Sequence, residues 1–169
     1  MNESHYIKLF QKAANQLDKK LLNDKQLEVA VGVYGDSVFL KLYKTRWANP
    51  CPDPLVSPSR IFFSIWINEE AIQQKRILYN IHALKLRQLK GYSIESRKFA
   101  AAFRAAFRDL EPEWPNISVA FGPLTLMQGW QAINAGSLQN EIVVLANRFL
   151  EMDQLIDKLL DNFKKESKK

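Results

Sequence analysis

The chain has one cysteine, Cys51, and two histidines, His5 and His82, among 169 residues. A single thiol excludes an internal disulfide, and so few thiolates and imidazoles remove the usual zinc clusters. Carboxylate sites for magnesium or calcium stay open, but no metal and no cofactor is expected. Glycine-rich phosphate loops, an acid-x-lysine strand and paired acids on one element are all missing, so the chain leans away from an enzyme, and a catalytic constellation would have to be assembled in three dimensions. No apolar run approaches the ~20 residues that span a bilayer, and the polar start MNESHYIK lacks the apolar core of a secretory signal. A cytoplasmic setting with no membrane contact is the expectation.

What is present is an ordinary globular composition, 47% hydrophobic and 25% charged, with a net charge of +6. Those proportions disfavour disorder, and the length suits a single domain over 1–163, followed by a basic, frayed tail at 164–169. The positive charge is uneven. Between Arg60 and Asp109 basic residues far outnumber acids, whereas the last long apolar pattern carries Glu141, Glu151, Asp153, Asp157 and Asp161. An anionic partner follows as an expectation.

Periodicity gives an α+β fold with an antiparallel sheet of three to five strands and long N- and C-terminal helices. Ile7, Phe10, Ala14, Leu17 and Leu21 recur at helical spacing over about His5–Leu22, with Ser4 as the cap. Leu27–Tyr34 and Ser37–Tyr43 read as a hairpin (27–43) around Gly35-Asp36, glycine standing where a type II′ turn prefers it. That register puts Val29, Val31 and Val33 opposite Leu42, Leu40 and Val38 on one face. Pro50, Pro52, Pro54 and Pro58 make 44–59 a loop. Arg60–Ile67 is a strand with Ile61, Phe63, Ile65 and Ile67 on one side and Phe62, Ser64 and Trp66 on the other. Asn68-Glu69-Glu70 opens a helix that would fill most of 69–90, with a strand near Ile77–Ala83 as the alternative. Ser93 caps a helix over Ile94–Leu110, Ile117–Phe121 forms a further strand (117–121), and 124–135 resists assignment. From Leu138 to Phe163 a heptad pattern predicts one helix of ~39 Å.

Three surfaces could carry function. Arg97, Arg104 and Arg108 line up opposite the phenylalanines of their helix, and three guanidinium forks could grip phosphates. Lys44, Arg46 and Trp47 open the proline loop and extend this candidate polyanion site. The competing reading is that a helix with an apolar inside needs a soluble outside. A helix-turn-helix at Gly91 is disfavoured, since Arg87 and Arg97 would put charge at both packing positions. The second surface is the sheet face bearing Tyr34, Phe39, Lys41, Tyr43, Phe62 and Trp66, which could stack unpaired bases. Cover by helices is the favoured expectation for that face. The third is the loop around Cys51, where catalysis would need His82 close by.

Function is therefore expected to be non-enzymatic binding of nucleic acid or another polyanion through the basic central region. A homodimerisation or protein-interaction module built on the C-terminal heptad is the alternative, and a small-molecule enzyme the third reading. For the heptad, a seam internal to the chain is favoured over a homodimer.

Overall fold

The N-terminal pattern forms two helices rather than one. In this computed structural model, which describes residues 1–134 and 137–165, α1 spans Glu3–Asn15 and α2 spans Lys19–Asp24. The expected basic tail falls mostly outside the described residues, as does Ala135. Asn2, not Ser4, caps α1, its side chain accepting from His5 N, and Asp18 starts α2 by accepting from Leu21 N. That second cap ends the first helical path, because a short acceptor competes locally for backbone donors.

Alternating side chains build β1 (Leu27–Tyr34), β2 (Ser37–Lys44) and β3 (Arg60–Ile67). β1 and β2 pair in the expected register, Val33 with Val38 and Val29 with Leu42. Gly35 takes φ +57° while Asp36 stays at negative φ, the combination a type II′ turn requires. The interval after β3 corrects the helical expectation. α3 (Glu69–Gln73) is capped by Asn68 but lasts little more than a turn, Lys75 turns the chain at φ +54°, and β4 (Arg76–Leu84) follows. Its apolar side chains point in all directions because both faces of this central strand are used. α4 (Ser96–Phe107) is the expected arginine-bearing helix, although Ser93 is not its cap: the N-cap position is Glu95.

The last strand, β5 (Thr125–Ala132), lies in the stretch that showed no pattern. The expected strand at 117–121 is reduced to one bridge, Ser118 with Gln128. The five strands therefore form one antiparallel meander in chain order. Gly129 has a packing reason to be glycine: a Cβ there would lie 2.3 Å from the Tyr79 hydroxyl, which donates to Pro115 O at 2.5 Å. A methyl group would displace that buried bond.

One face of the sheet holds the core. Phe63 stacks on Phe149 with centroids 4.4 Å apart and meets Trp114 edge-on at 5.8 Å. Such aromatic contacts add to the ~1.5–3 kcal/mol of burying each ring. Phe149 comes from α5 (Leu138–Leu150), which packs beside α1 across this face. The heptad continues in α6 (Asp153–Asp161), but the helix breaks at Glu151–Met152 instead of running straight to Phe163. Ile142, Leu145, Phe149, Ile156 and Leu159 are all buried in the chain's own core. The break has an electrostatic counterpart, because α6 begins with Asp153, fully buried and paired with lysines of the sheet side.

Candidate functional site

Side chains on the other face of the sheet form three rows that run across the strands. Antiparallel pairing places Phe39, Trp66, Leu78 and Trp130 side by side in the first row. Lys41, Ser64, Asn80 and Gln128 make the second. Phe62, His82 and Thr125 make the third. Since residues two apart share a face, neighbouring rows lie ~7 Å apart, and neighbouring strands ~4.8 Å. A polar row is thus set between two rows rich in rings.

These rows, apart from Leu78, Trp130 and Thr125, floor a cleft of about 750 Å³ whose walls are the hairpin end, Val33, Tyr34 and Ser37, and the proline loop, Asp53, Leu55 and Val56. No residue of α1–α6 lines it. The expected helical cover is absent because all the long apolar helix faces are used against the core side. Tyr34, 79% exposed, and Val56, 64% exposed, stand as apolar groups at its rim. Of the stacking residues expected from sequence, Tyr34, Phe39, Phe62 and Trp66 come together here, while Tyr43 packs against the edge of the core.

Lys41 is the electrostatic centre. Its Nζ lies 4.3 Å from the Phe39 ring centroid and 4.5 Å from that of Phe62, so one ammonium bridges two ring faces. Burial pushes its pKa down to about 8, Arg60 adds repulsion, and attraction to Asp53 opposes both. Arg60 sits 5.3 Å from the Phe62 centroid and donates to Ser57 O at 2.6 Å. His82 is likewise pushed below the ordinary imidazole value, first by burial and then by Lys41 and Arg60, against a hydrogen bond with Leu124 O. The floor also holds an unmet demand: Asn80 is 3% exposed and its Oδ1 has no hydrogen-bond partner. An orphaned buried acceptor costs ~1–3 kcal/mol.

No family model, curated protein or solved structure matches the chain. Its chemistry therefore has to be read from its own side chains.

The other sequence candidates are distributed differently. Lys44 and Trp47 are buried, and both bind Asp157: Nζ lies 2.6 Å from its Oδ2 and Trp47 Nε1 donates to its Oδ1 at 2.8 Å. Lys44 Nζ also lies 2.7 Å from Asp153 Oδ2, an ion pair by distance without hydrogen-bond geometry, and Lys25 bonds Asp153 Oδ1 at 3.0 Å. Arg46 pairs with Asp157 at 2.7 Å and keeps half its side chain exposed. Asp153 and Asp157 thus meet Lys25, Lys44 and Arg46. Arg104 donates to the carbonyls of Phe121, Gly122, Thr125 and Leu126, tying α4 to the turn before β5. Arg97 and Arg108 remain exposed on either side of it. Cys51 does not line the cleft that holds His82. Among the described residues no group of three or more His, Cys, Asp or Glu is poised for a metal, and none of the helices is long and apolar enough to cross a membrane.

A second hollow, of about 820 Å³, gathers Arg46, Lys90, Lys164 and Lys165 around Tyr92, with Glu28 as its acid. Asn49 ties the proline loop to this region by accepting from Lys90 N at 2.7 Å, and Lys165 N donates to Gly91 O at 3.1 Å. Ala48 and Pro50 line this basic hollow while Asp53, Leu55 and Val56 line the aromatic cleft, so the proline loop serves both. Sequence reasoning missed Lys90 in this role, and it missed Ser64, Asn80 and Gln128 on the sheet floor. Recognising β4 as a strand would have found Asn80, because its register puts it beside Ser64.

Proposed function

We propose that the chain is a non-enzymatic module that binds single-stranded nucleic acid, taking unpaired bases on the open face of its sheet. The observation that carries this reading is the uncovered face itself, where Phe39, Trp66 and Tyr34 offer ring surface beside Lys41 and Arg60. A soluble chain that leaves rings uncovered beside cations has a surface suited to flat, anionic partners, and stacking serves every base. The basic hollow across the proline loop supports the same reading, since Arg46, Lys90, Lys164 and Lys165 suit the phosphates of a strand leaving the sheet. The site thus differs from the arginine stripe expected from sequence, whose central member, Arg104, is already engaged with four carbonyls.

Fluorescence anisotropy of labelled single- and double-stranded oligonucleotides, at low and near-physiological salt, tests the reading. Single strands are expected to bind more tightly than duplexes and to quench tryptophan emission. Phe39→Ala should weaken binding by ~1–3 kcal/mol, roughly 5- to 150-fold. Absence of binding even at low salt, or binding that ignores Phe39→Ala, sinks it.

A further inference from the structure

The sheet has two edges, and the fold treats them differently. At β5 the edge is engaged: Ser118 exchanges both backbone bonds with Gln128, and Asn116 Nδ2 donates to Trp130 O. At β1 it is open. The two-residue turn makes Tyr34 and Ser37 a hydrogen-bonded pair. Alternation then directs the backbone groups of Gly32 and Ala30 to β2 and those of Val29, Val31 and Val33 outward. Among the described residues, no backbone hydrogen bond outside the sheet uses those outward groups. Nor does the strand carry what commonly blunts an edge, since Leu27–Tyr34 pairs with β2 without a bulge and holds no lysine, arginine or proline.

We infer that this edge pairs with that of a second copy of the chain, β1 against β1 in antiparallel register about a two-fold axis at Val31, giving a homodimer with one continuous sheet. The inference does not rest on the nucleic-acid reading.

In that register the strand is complementary to itself. Val31 exchanges both backbone bonds with Val31 of the second copy, and Val29 does so with Val33, so every outward group named above is used. On the core side Val33, 38% exposed in the single chain, comes to lie beside Val29 of the other copy. There it meets a groove of about 380 Å³ lined by Ala14, Leu22, Val29 and Val31. On the open side Glu28 falls opposite Tyr34, whose exposed hydroxyl can donate to the carboxylate, and Ala30 falls opposite Gly32. A register shifted by two residues toward the turn would set Glu28 against Asp36, a like-charge pair. Shifted by two the other way, Glu28 would face Gly32 and lose its donor.

This self-match is the reason for naming a second copy rather than a foreign strand. The heptad of the last two helices does not compete for the role, because Ile142, Leu145, Phe149 and Ile156 lie in the chain's own core. A two-fold axis normal to the sheet keeps like faces together. The open faces of the two copies therefore join, with only the small side chain of Ala30 and the bare Gly32 at the crossing.

Sedimentation equilibrium of the full chain across the micromolar range, without nucleic acid, gives the test. The mass is expected to rise with concentration from that of one chain toward that of two. Val31→Pro removes an outward N–H that the single chain does not use, a position where an edge strand tolerates proline. It should leave a monomer whose circular dichroism is that of the folded protein. Tyr34→Glu, at an exposed site, sets two carboxylates opposite each other on both sides of the axis, and should raise the dimer Kd roughly tenfold. Adding Glu28→Lys to that variant should restore the dimer. If Val31→Pro does not fold, the two charge variants decide. Monomer mass at every concentration overturns the inference and leaves the edge to a strand of another protein. A dimer indifferent to Tyr34→Glu, or one that survives Val31→Pro, overturns it as well, since its interface then lies elsewhere.

Discussion

Lys41 and Lys44 stand three residues apart on one strand and point to opposite faces of the sheet. Lys44 is 2% exposed and surrounded by Asp153, Asp157 and Trp47, its charge matched within the fold. Lys41 is held by two ring faces and makes no salt bridge among the described residues. The same contrast runs along β3, where Ile61, Phe63, Ile65 and Ile67 are sealed in hydrocarbon while Phe62, Ser64 and Trp66 alternate ring, hydroxyl, ring. One face spends its side chains on each other; the other leaves groups whose interactions are incomplete. On the proposed reading the pleat of the strand separates stability from recognition, and substitutions should separate them too.

The largest effects belong to the core face. Phe63→Ala is expected to cost ~3–5 kcal/mol in urea unfolding, whereas Phe39→Ala should cost far less stability while weakening nucleic-acid binding. Lys44→Ala should also cost ~3–5 kcal/mol, because it leaves Asp153 charged and buried beside only Lys25. Lys41→Ala, three residues away, should unfold at nearly the wild-type urea concentration. Loss of stability at Lys41 comparable to that at Lys44 would break the comparison.

A smaller effect sharpens it. An anionic strand favours protonated Lys41, so binding should be flat below pH 8, where the ammonium is already formed, and weaken as pH rises above it. The decline is up to tenfold per pH unit until the pKa of the complex is reached. Over that window His82, held below the ordinary imidazole value, stays neutral, so Lys41→Met should abolish the slope in an anisotropy titration. The smallest effect is expected at Arg97→Glu and Arg108→Glu, whose side chains are exposed away from the cleft. Both should leave stability and single-strand binding nearly unchanged by the same assays.

The parts legible in the sequence were those with a single clear period. The hairpin, β3 and α4 each place apolar residues on one side, so alternation or helical spacing reveals them. β4 did not, because Ile77, Tyr79 and Ile81 face the core while Leu78 and Leu84 face the other way, and a continuous apolar run also fits a buried helix. β5 was hidden by Gln128, Gly129 and Gln131, which a strand scan penalises, although Gly129 is there to admit Tyr79. The missing strands took half of the polar row with them: Tyr34, Phe39, Lys41, Phe62 and Trp66 could be placed on one face, but Asn80 and Gln128 could not. Lys44 and Trp47 looked available for a ligand because their partners lie more than a hundred residues later.

That long-range lock also sets an order of events for the chain as it is made. Each strand of the meander pairs with its predecessor, so the sheet can assemble from local hairpins as they emerge. Lys44 nevertheless enters the interior only when Asp153 and Asp157 are available, and Phe63 gains its stacked partner only with Phe149. Until α5 and α6 arrive, a growing chain that has formed its sheet would have an open core face, with Lys44 still in water. Such a half-finished state is the one most exposed to chaperones, proteases and misassembly. In the folded domain, α5 and α6 supply the partners that close this face.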